Sequence, residues 1–428
     1  MIKILSRGEF IESQTQKIKV FKGKTEIRVH LGTSELLKEE LERITSSQYY
    51  AQEAVEAIKD VITTNTERLE EAFKKYLPFS GEGAKDEIHN IKEAARQTLS
   101  ALQVDEEKIS SLSEIPFKTP LGIILWRPAP FTSPLEVALK IFTSILSGNH
   151  LVITPSPEDA PGVFFLLKFL LSHPYFKKMV SLIPTTFLPK EESIKEASKT
   201  YFPIEGIGTT QTLIERRGNS AFVVMEEEGI NAALKKSLRA MVNYFGFPPL
   251  SPNVILVRES IYYDFLSVLL KNMENLSMEG FGINLQPRLI KIREKVLEAG
   301  GKFLIGGLVD DLFKFPAVAS ELPLSLYLKE ELFSPLIFVY TFEKKEEIFD
   351  FVASSPAIMS VSIFGGEKEF AMELAEVTPV ELIILENSPS PQLFMKLRGR
   401  EEFLFQGRGP KYLIKEFTSQ KLIKLSQD

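Results

Sequence analysis

GIILWRPAPFTSPLEVALKIFTSILSGNHLVIT, residues 122–154, decides the fold. The apolar run GIILW reads as a buried strand, SPLEVALKIFTSILSGN as a helix stopped by Gly-Asn, and HLVIT as a second strand. A strand, helix, strand succession of this length builds a parallel pair, because parallel neighbours need a crossover that a tight turn cannot supply. Downstream, VFFLLKFLL and the strand-like MVSLIP continue the alternation, so residues up to about 225 read as an open α/β sheet of dinucleotide-binding type.

Upstream, KIKVFKG and KTEIRVH (residues 17–30) alternate as a hairpin turning at Lys-Gly. From Thr33 to about Leu77 the spacing of apolar residues such as Val55, Ile58 and Ile62 predicts two helices. FSGEGAKDE (79–87) reads as a polar break before a further helix, IHNIKEAARQTLSAL. Beyond residue 225 a second α/β unit is expected, from the strand NVILV (253–257), the helix IYYDFLSVLLKNM, the strands KFLIGG and LIFVYTF, and the helix KKEEIFDFVAS.

Composition narrows the functional classes. A chain of 428 residues, 44% apolar and 25% charged, is expected to carry two core-bearing domains. A formal charge of −6 with dispersed Lys and Arg argues against a nucleic-acid partner. No apolar run reaches membrane-spanning length, and MIKILSRGEF lacks a secretory h-region, so a cytoplasmic protein without a membrane partner is expected. There is no cysteine, which removes disulfides, thiolate metal sites and a Cys nucleophile together. The four histidines, His30, His89, His150 and His173, have no metal-ligand spacing, so no metal is expected.

Six segments in order, TPLGIILWRP, ALKIFTSILSGNHLVITPSP, ERRGNSAFVVMEEEGINAAL, NVILVRESIYYDF, KEELFSPLIFVYTF and GRGPKYLIKEFTSQKLIKL, resemble the aldehyde dehydrogenase superfamily from about Lys118 to Leu425. The resemblance implies an aldehyde-dehydrogenase-like α/β fold: a Rossmann-type open-sheet domain over residues 1–225, a catalytic-like α/β domain over 226–395, and a C-terminal segment over 396–428. Residues 108–122 and the last strand, KLIKL, would form a small oligomerisation element, giving a homodimer or larger closed assembly.

In active members of that family a Cys thiolate attacks the aldehyde, an Asn side chain and the Cys backbone NH hold the oxyanion, hydride passes to NAD or NADP, and a Glu activates water. Carried onto this sequence, the Glu matches Glu215, followed by Arg216 and Arg217 where small or apolar residues are usual. The Cys position falls on Pro249, which has neither a nucleophilic side chain nor a backbone NH. The oxyanion Asn falls on Phe131, and no Asn between Pro120 and Gly148 could replace it.

The cofactor positions are altered too. The Lys that touches the adenosine ribose falls on Thr154. The pyrophosphate-facing turn has its nearest counterpart in Gly206 and Gly208, too close to Glu215 for the usual intervening helix and strand. Glu331 and Phe333 fit the pair that contacts the nicotinamide ribose.

Each position also has a plainer reading. Glu215 is either a desolvated base or a surface carboxylate paired with Arg216 or Arg217, and the second is favoured. Ser251 or Ser220 could stand in as nucleophile, but neither has a His partner nearby in sequence. Gly206 and Gly208 serve as a turn before they serve as a phosphate cradle.

The joint losses favour a pseudoenzyme, inactive in thioester chemistry, that acts by assembly or ligand binding, with an active paralogue as a possible partner. The alternative is an NAD(P)-dependent oxidoreductase or acyl reductase with a non-cysteine mechanism. A third reading places a metabolite without turnover in the cleft between the domains. NAD or NADP is expected to bind weakly or not at all.

Overall fold

The computed structural model describes residues 1–13, 17–22, 25–43, 51–77, 81–103, 114–128, 132–157, 159–186, 219–244, 252–273, 286–306, 317–323, 336–355, 358–380, 382–386 and 410–424. Two main sheets organise them. The first has the order β2-β1-β8-β7-β6, from β1 (Ile4–Ser6), β2 (Glu9–Ile11), β6 (Ile123–Trp126), β7 (His150–Ile153) and β8 (Val180–Leu182). β6, β7 and β8 run parallel, joined by α5 (Pro134–Leu146) and by α6 (Ala160–Leu170) with α7 (Pro174–Met179), as the sequence of this stretch required.

The N-terminal hairpin β1–β2 extends this sheet antiparallel along β8. Nothing in the sequence pattern revealed it, because three-residue strands are too short to display a period. β3 (Lys17–Lys22) and β4 (Thr25–His30) form the expected hairpin.

Helices depart from expectation in two places. The stretch from Thr33 to Leu77 holds three helices, α1 (Ser34–Arg43), α2 (Ala51–Thr63) and α3 (Glu67–Tyr76), with the polar residues after Thr63 separating the last two. The expected polar break at 79–87 is largely helical, since α4 (Gly81–Gln103) begins within it. Glycine is tolerated there because the first turn of a helix has no preceding turn to pack against, and Glu82 favours the positive end of the helix dipole.

The second sheet has the order β11-β12-β13-β10-β9-β14-β15 and is parallel except for β11 (Lys302–Ile305). Its other strands are β9 (Asn219–Val224), β10 (Pro252–Arg258), β12 (Ala317–Ser320), β13 (Leu336–Phe342), β14 (Ile358–Phe364) and β15 (Leu382–Leu385). The expected boundary at 225/226 therefore falls late, because β9 pairs with β10 and β14 and not with the first sheet. Both faces of this sheet are covered. Ala221, Val223, Val254 and Leu256 point into one core, and Phe222, Val224, Ile255 and Val257 into the other, the period of two expected of a pleated strand. Helices α8 (Glu227–Tyr244) and α9 (Tyr262–Met273) close the second core, while α10 (Gln286–Glu298), α11 (Lys345–Ser354) and α12 (Lys368–Val377) close the first.

The first sheet packs its main core against α2 to α7, and Leu37 and Leu41 of α1 cover Leu125, Val152 and Ile183 on the other face. At the centre is α5, buried at all thirteen of its residues. Burial of both ends obliges the protein to satisfy the helix's terminal polar groups from its own side chains.

At the carboxyl end, Gly148 takes the left-handed conformation that stops the helix (φ +79), and Asn149 does more than follow it. Fully buried, Asn149 accepts from the Gly122 amide through Oδ1 at 2.8 Å and donates through Nδ2 to the Phe417 carbonyl at 2.8 Å. Gly122 follows β5 (Glu114–Pro120), and Phe417 closes the chain between α13 (Pro410–Glu416) and β16 (Thr418–Lys424). β5 and β16 pair antiparallel over seven residues, so one side chain roots both strands of this ribbon. Two-stranded ribbons are marginal alone, which makes the root important.

Asn149→Ala leaves two amide groups at the base of the ribbon without their partner. It is expected to destabilise the first unit by about 2–4 kcal/mol, at the usual cost per unsatisfied buried group. Urea denaturation followed by circular dichroism measures this, with faster proteolytic cleavage in 114–120 as the local sign.

Candidate functional site

Parallel α/β sheets bind ligands beyond the carboxyl ends of their strands. In the first sheet these ends are Trp126, Ile153 and Leu182. Thr154 follows β7 directly. It is fully buried, its amide donates to the Trp126 carbonyl at 2.8 Å, and its hydroxyl is 3.4 Å from the same oxygen. A threonine committed inward in this way does not present a donor to a ribose.

A cation nevertheless stands at this edge. Nη1 of Arg127 donates to the Thr154 carbonyl at 2.8 Å, to the Thr185 carbonyl at 3.0 Å and to the Thr185 hydroxyl at 2.6 Å. The chain segments leaving β6, β7 and β8 are thereby stapled together by one guanidinium. Ser156 and Asp159 close the following turn, with the hydroxyl donating to the carboxylate at 2.6 Å, ahead of α6. Among the described residues this edge therefore carries a strut and not the ribose contact of a nicotinamide cofactor. The other cofactor positions, Gly206, Gly208, Glu331 and Phe333, lie outside the described residues.

At the amino end of α5, Ser133 is the N-cap, its hydroxyl accepting from the Glu136 amide at 3.2 Å, and Pro134 opens the helix. The next amide, Leu135, donates at 2.7 Å to Oε1 of Glu87 on α4. Burial pushes the Glu87 carboxyl up to about 7, against the opposing pull of its hydrogen bonds from Leu135 and Ser133. Phe131 lies two residues before this cap and outside the described residues.

The second sheet contributes its amino edge. β13, β10 and β9 are adjacent and parallel and begin at Leu336, Pro252 and Asn219. Glu215, Pro249, Ser251, Glu331 and Phe333 each stand a few residues upstream of one of these starts, and all lie outside the described residues, as do Gly206 and Gly208. The described edge is polar but sealed. Ser220 shares a 2.7 Å hydrogen bond with Ser360, and Asn253 donates to the Leu336 carbonyl at 3.2 Å.

Ser220 is fully buried with a serine hydroxyl as its partner, and every histidine of the chain lies at or before His173. Its burial against the Ser360 hydroxyl argues against its reading as a substitute nucleophile. No group of His, Cys, Asp or Glu among the described residues could hold a metal ion. None of the described helices is long and apolar enough to cross a membrane.

Residues 195–423, more than half of the chain, match the family model described as "Aldehyde dehydrogenase family". The chain belongs to the aldehyde dehydrogenase family. Sulfoacetaldehyde dehydrogenase of Neptuniibacter caesariensis is 21% identical over 356 residues, covering 76% of this chain and 78% of that one. The D-glyceraldehyde dehydrogenase (NADP(+)) of Picrophilus torridus is 22% identical over 409 residues, covering 87% and 82%. Among solved structures, the NADP-dependent glyceraldehyde-3-phosphate dehydrogenase of Bacillus halodurans C-125, complexed with NADP, superposes with a TM-score of 0.79 at 14% identity, covering 99% of both chains. Likeness at that identity establishes the aldehyde dehydrogenase fold and leaves the chemistry to the residues.

Sequence reading passed over Arg127 and Glu87. Arg127 was visible as a lone cation between a buried strand and a Pro-rich loop, whereas Glu87 carried no local signal. Arg127→Met is expected to cost about 2–4 kcal/mol by removing a charge-assisted donor from three oxygens. Arg127→Lys should recover part of this: all three oxygens are met by the single nitrogen Nη1, which an ammonium can replace, but without the planar guanidinium that fixes its direction. Chemical denaturation midpoints of the three proteins test it, and equal midpoints would refute the strut.

Proposed function

We propose that this family member does not carry out thioester chemistry and acts through assembly or through binding a ligand without turnover. One observation carries the proposal: a chain of 428 residues with no cysteine has no thiolate to attack an aldehyde. A proline at the nucleophile position and a phenylalanine at the oxyanion position, as assigned to Pro249 and Phe131, remove the remaining oxyanion donors. Each such donor contributes about 3 kcal/mol to catalysis. The sealed hydroxyls of Ser220 and Thr154 support the same reading, since neither faces a substrate or a ribose.

Assembly would use the β5–β16 ribbon, whose outer edges offer backbone donors and acceptors to a strand from another copy or from an active paralogue. A homodimer is the simplest closed arrangement. NAD or NADP binds weakly or not at all in this proposal, and no metal takes part. The ligand would be a cytoplasmic metabolite, with neither nucleic acid nor membrane as a partner.

The purified protein is expected to produce no NADH or NADPH above background over a panel of short, long and phosphorylated aldehydes. Turnover that disappears in Glu215→Gln would overturn the proposal and leave Glu215 as the base to explain. Pro249→Cys, alone or with Phe131→Asn, is expected not to restore activity, because groups that act as one unit fail as one unit. Calorimetry is expected to find no micromolar site for either cofactor, and light scattering a species larger than the monomer.

A further inference from the structure

We propose that Glu40, Ser181 and His150 form a buried one-way hydrogen-bond relay that latches α1 to the first sheet and couples it to the root of the β5–β16 ribbon. Strand alternation brings the parts together. Ser6 stands two residues after Ile4 on β1, Ser181 on β8 two before Ile183, and His150 on β7 two before Val152, so all three share the face that Leu37 and Leu41 of α1 cover. Glu40, on the same helix, reaches this polar row. Its Oε2 accepts the Ser6 hydroxyl at 2.6 Å, its Oε1 accepts the Ser181 hydroxyl at 2.7 Å, and Nε2 of His150 lies 3.1 Å from the Ser181 oxygen. All four residues are at most 3% exposed.

The direction of the relay follows from counting protons. Oxygen separations of 2.6 and 2.7 Å are those of hydroxyls donating to an ionised carboxylate, for which the usual range is about 2.5–2.7 Å. A serine hydroxyl has one proton to give. Ser181 gives its proton to Glu40, so its oxygen accepts from the ring, and the proton between Ser181 and His150 belongs to Nε2. The arrangement anchors α1, since removing a donor leaves part of a buried charge unmet.

His150 carries the latch to the ribbon. Its amide donates to the Gly122 carbonyl at 2.9 Å, and the preceding residue, Asn149, accepts the Gly122 amide. Gly122, two residues beyond β5, is therefore held through both its carbonyl and its amide by adjacent residues, in a conformation (φ +107) that L side chains rarely adopt. Phe417, at the foot of β16, is bonded to the same Asn149. The ring of His150 is thus tied to Ser181 and its backbone to Gly122, so freeing the ring loosens the hold on the ribbon's foot.

Two measurements on the full chain test this. In the nitrogen spectrum of isotope-labelled histidine, the His150 ring, assigned through its backbone, is expected to carry a proton on Nε2. Hydrogen exchange then separates latch from coupling. Ser181→Ala should raise exchange in Ser34–Arg43 about tenfold, the scale of one hydrogen bond to a charge, and should raise it in Glu114–Pro120 as well. Ser6→Ala removes a donor from the same carboxylate on the side away from His150, so it should raise exchange in α1 and leave the ribbon unchanged. A bare Nε2 in the wild-type protein, an unchanged ribbon in Ser181→Ala, or a ribbon that responds equally to both variants overturns the proposal. Should Ser181→Ala not fold, Glu40→Gln, which removes the charge and keeps the size, must raise exchange in both segments, and an unchanged ribbon there is equally fatal.

Discussion

Complete burial of α5 is the constraint from which the first half of the molecule follows. A helix inside the protein cannot leave its end groups to water, so each must be met by a side chain or by a backbone brought close for the purpose. Ser133 and Glu87 meet the amino end. At the carboxyl end Gly148 reverses the chain, and Asn149 spends both ends of its amide on distant backbone. The solutions at the two ends fix neighbouring parts: Glu87 ties α4 to the loop before the helix, and Asn149 ties the β5–β16 ribbon to the sheet. A residue that satisfies a buried helix end thus also decides where separate elements sit.

Those parts of the fold whose cause is local were legible. β7, β10 and β13 are apolar runs long enough to be strands buried on both faces, and α5 is a long apolar stretch ended by Gly-Asn. Parts decided by pairing were not. β9 is buried throughout, as β7 and β8 of the first sheet are, and only its partners β10 and β14 place it in the second. β1 is three residues long and is a strand because β8 presents an open edge to it. The break between α2 and α3 lies in a short polar stretch inside an otherwise continuous helical pattern, so one long helix and two shorter ones read alike.

The same division holds for the candidate site. Gly-Asn was read correctly as a helix stop, yet the tertiary role of Asn149 depends on Phe417, 268 residues away, which no local pattern can announce. Thr154 was read as a missing cation. In space the edge does have a cation, Arg127, contributed by the end of the neighbouring strand, but it is bonded to the protein's own carbonyls. Counting residue types at aligned positions does not reach what occupies the place in space. Glu87 is the extreme case, since its burial and its partners arise entirely from the packing of α4 on α5.

Two kinds of residue answer to different constraints in this fold. The positions assigned to nucleophile, oxyanion donor and base, Pro249, Phe131 and Glu215, belong to the family's reaction and lie outside the described residues. Glu87, Asn149 and Arg127 are opposite in character: each is polar, each is bonded to backbone at an element's end, and loss of any one leaves a buried group without a partner. Contacts of this kind hold the scaffold and do not report on reactive groups, which is why family membership and catalytic chemistry must be argued from different residues.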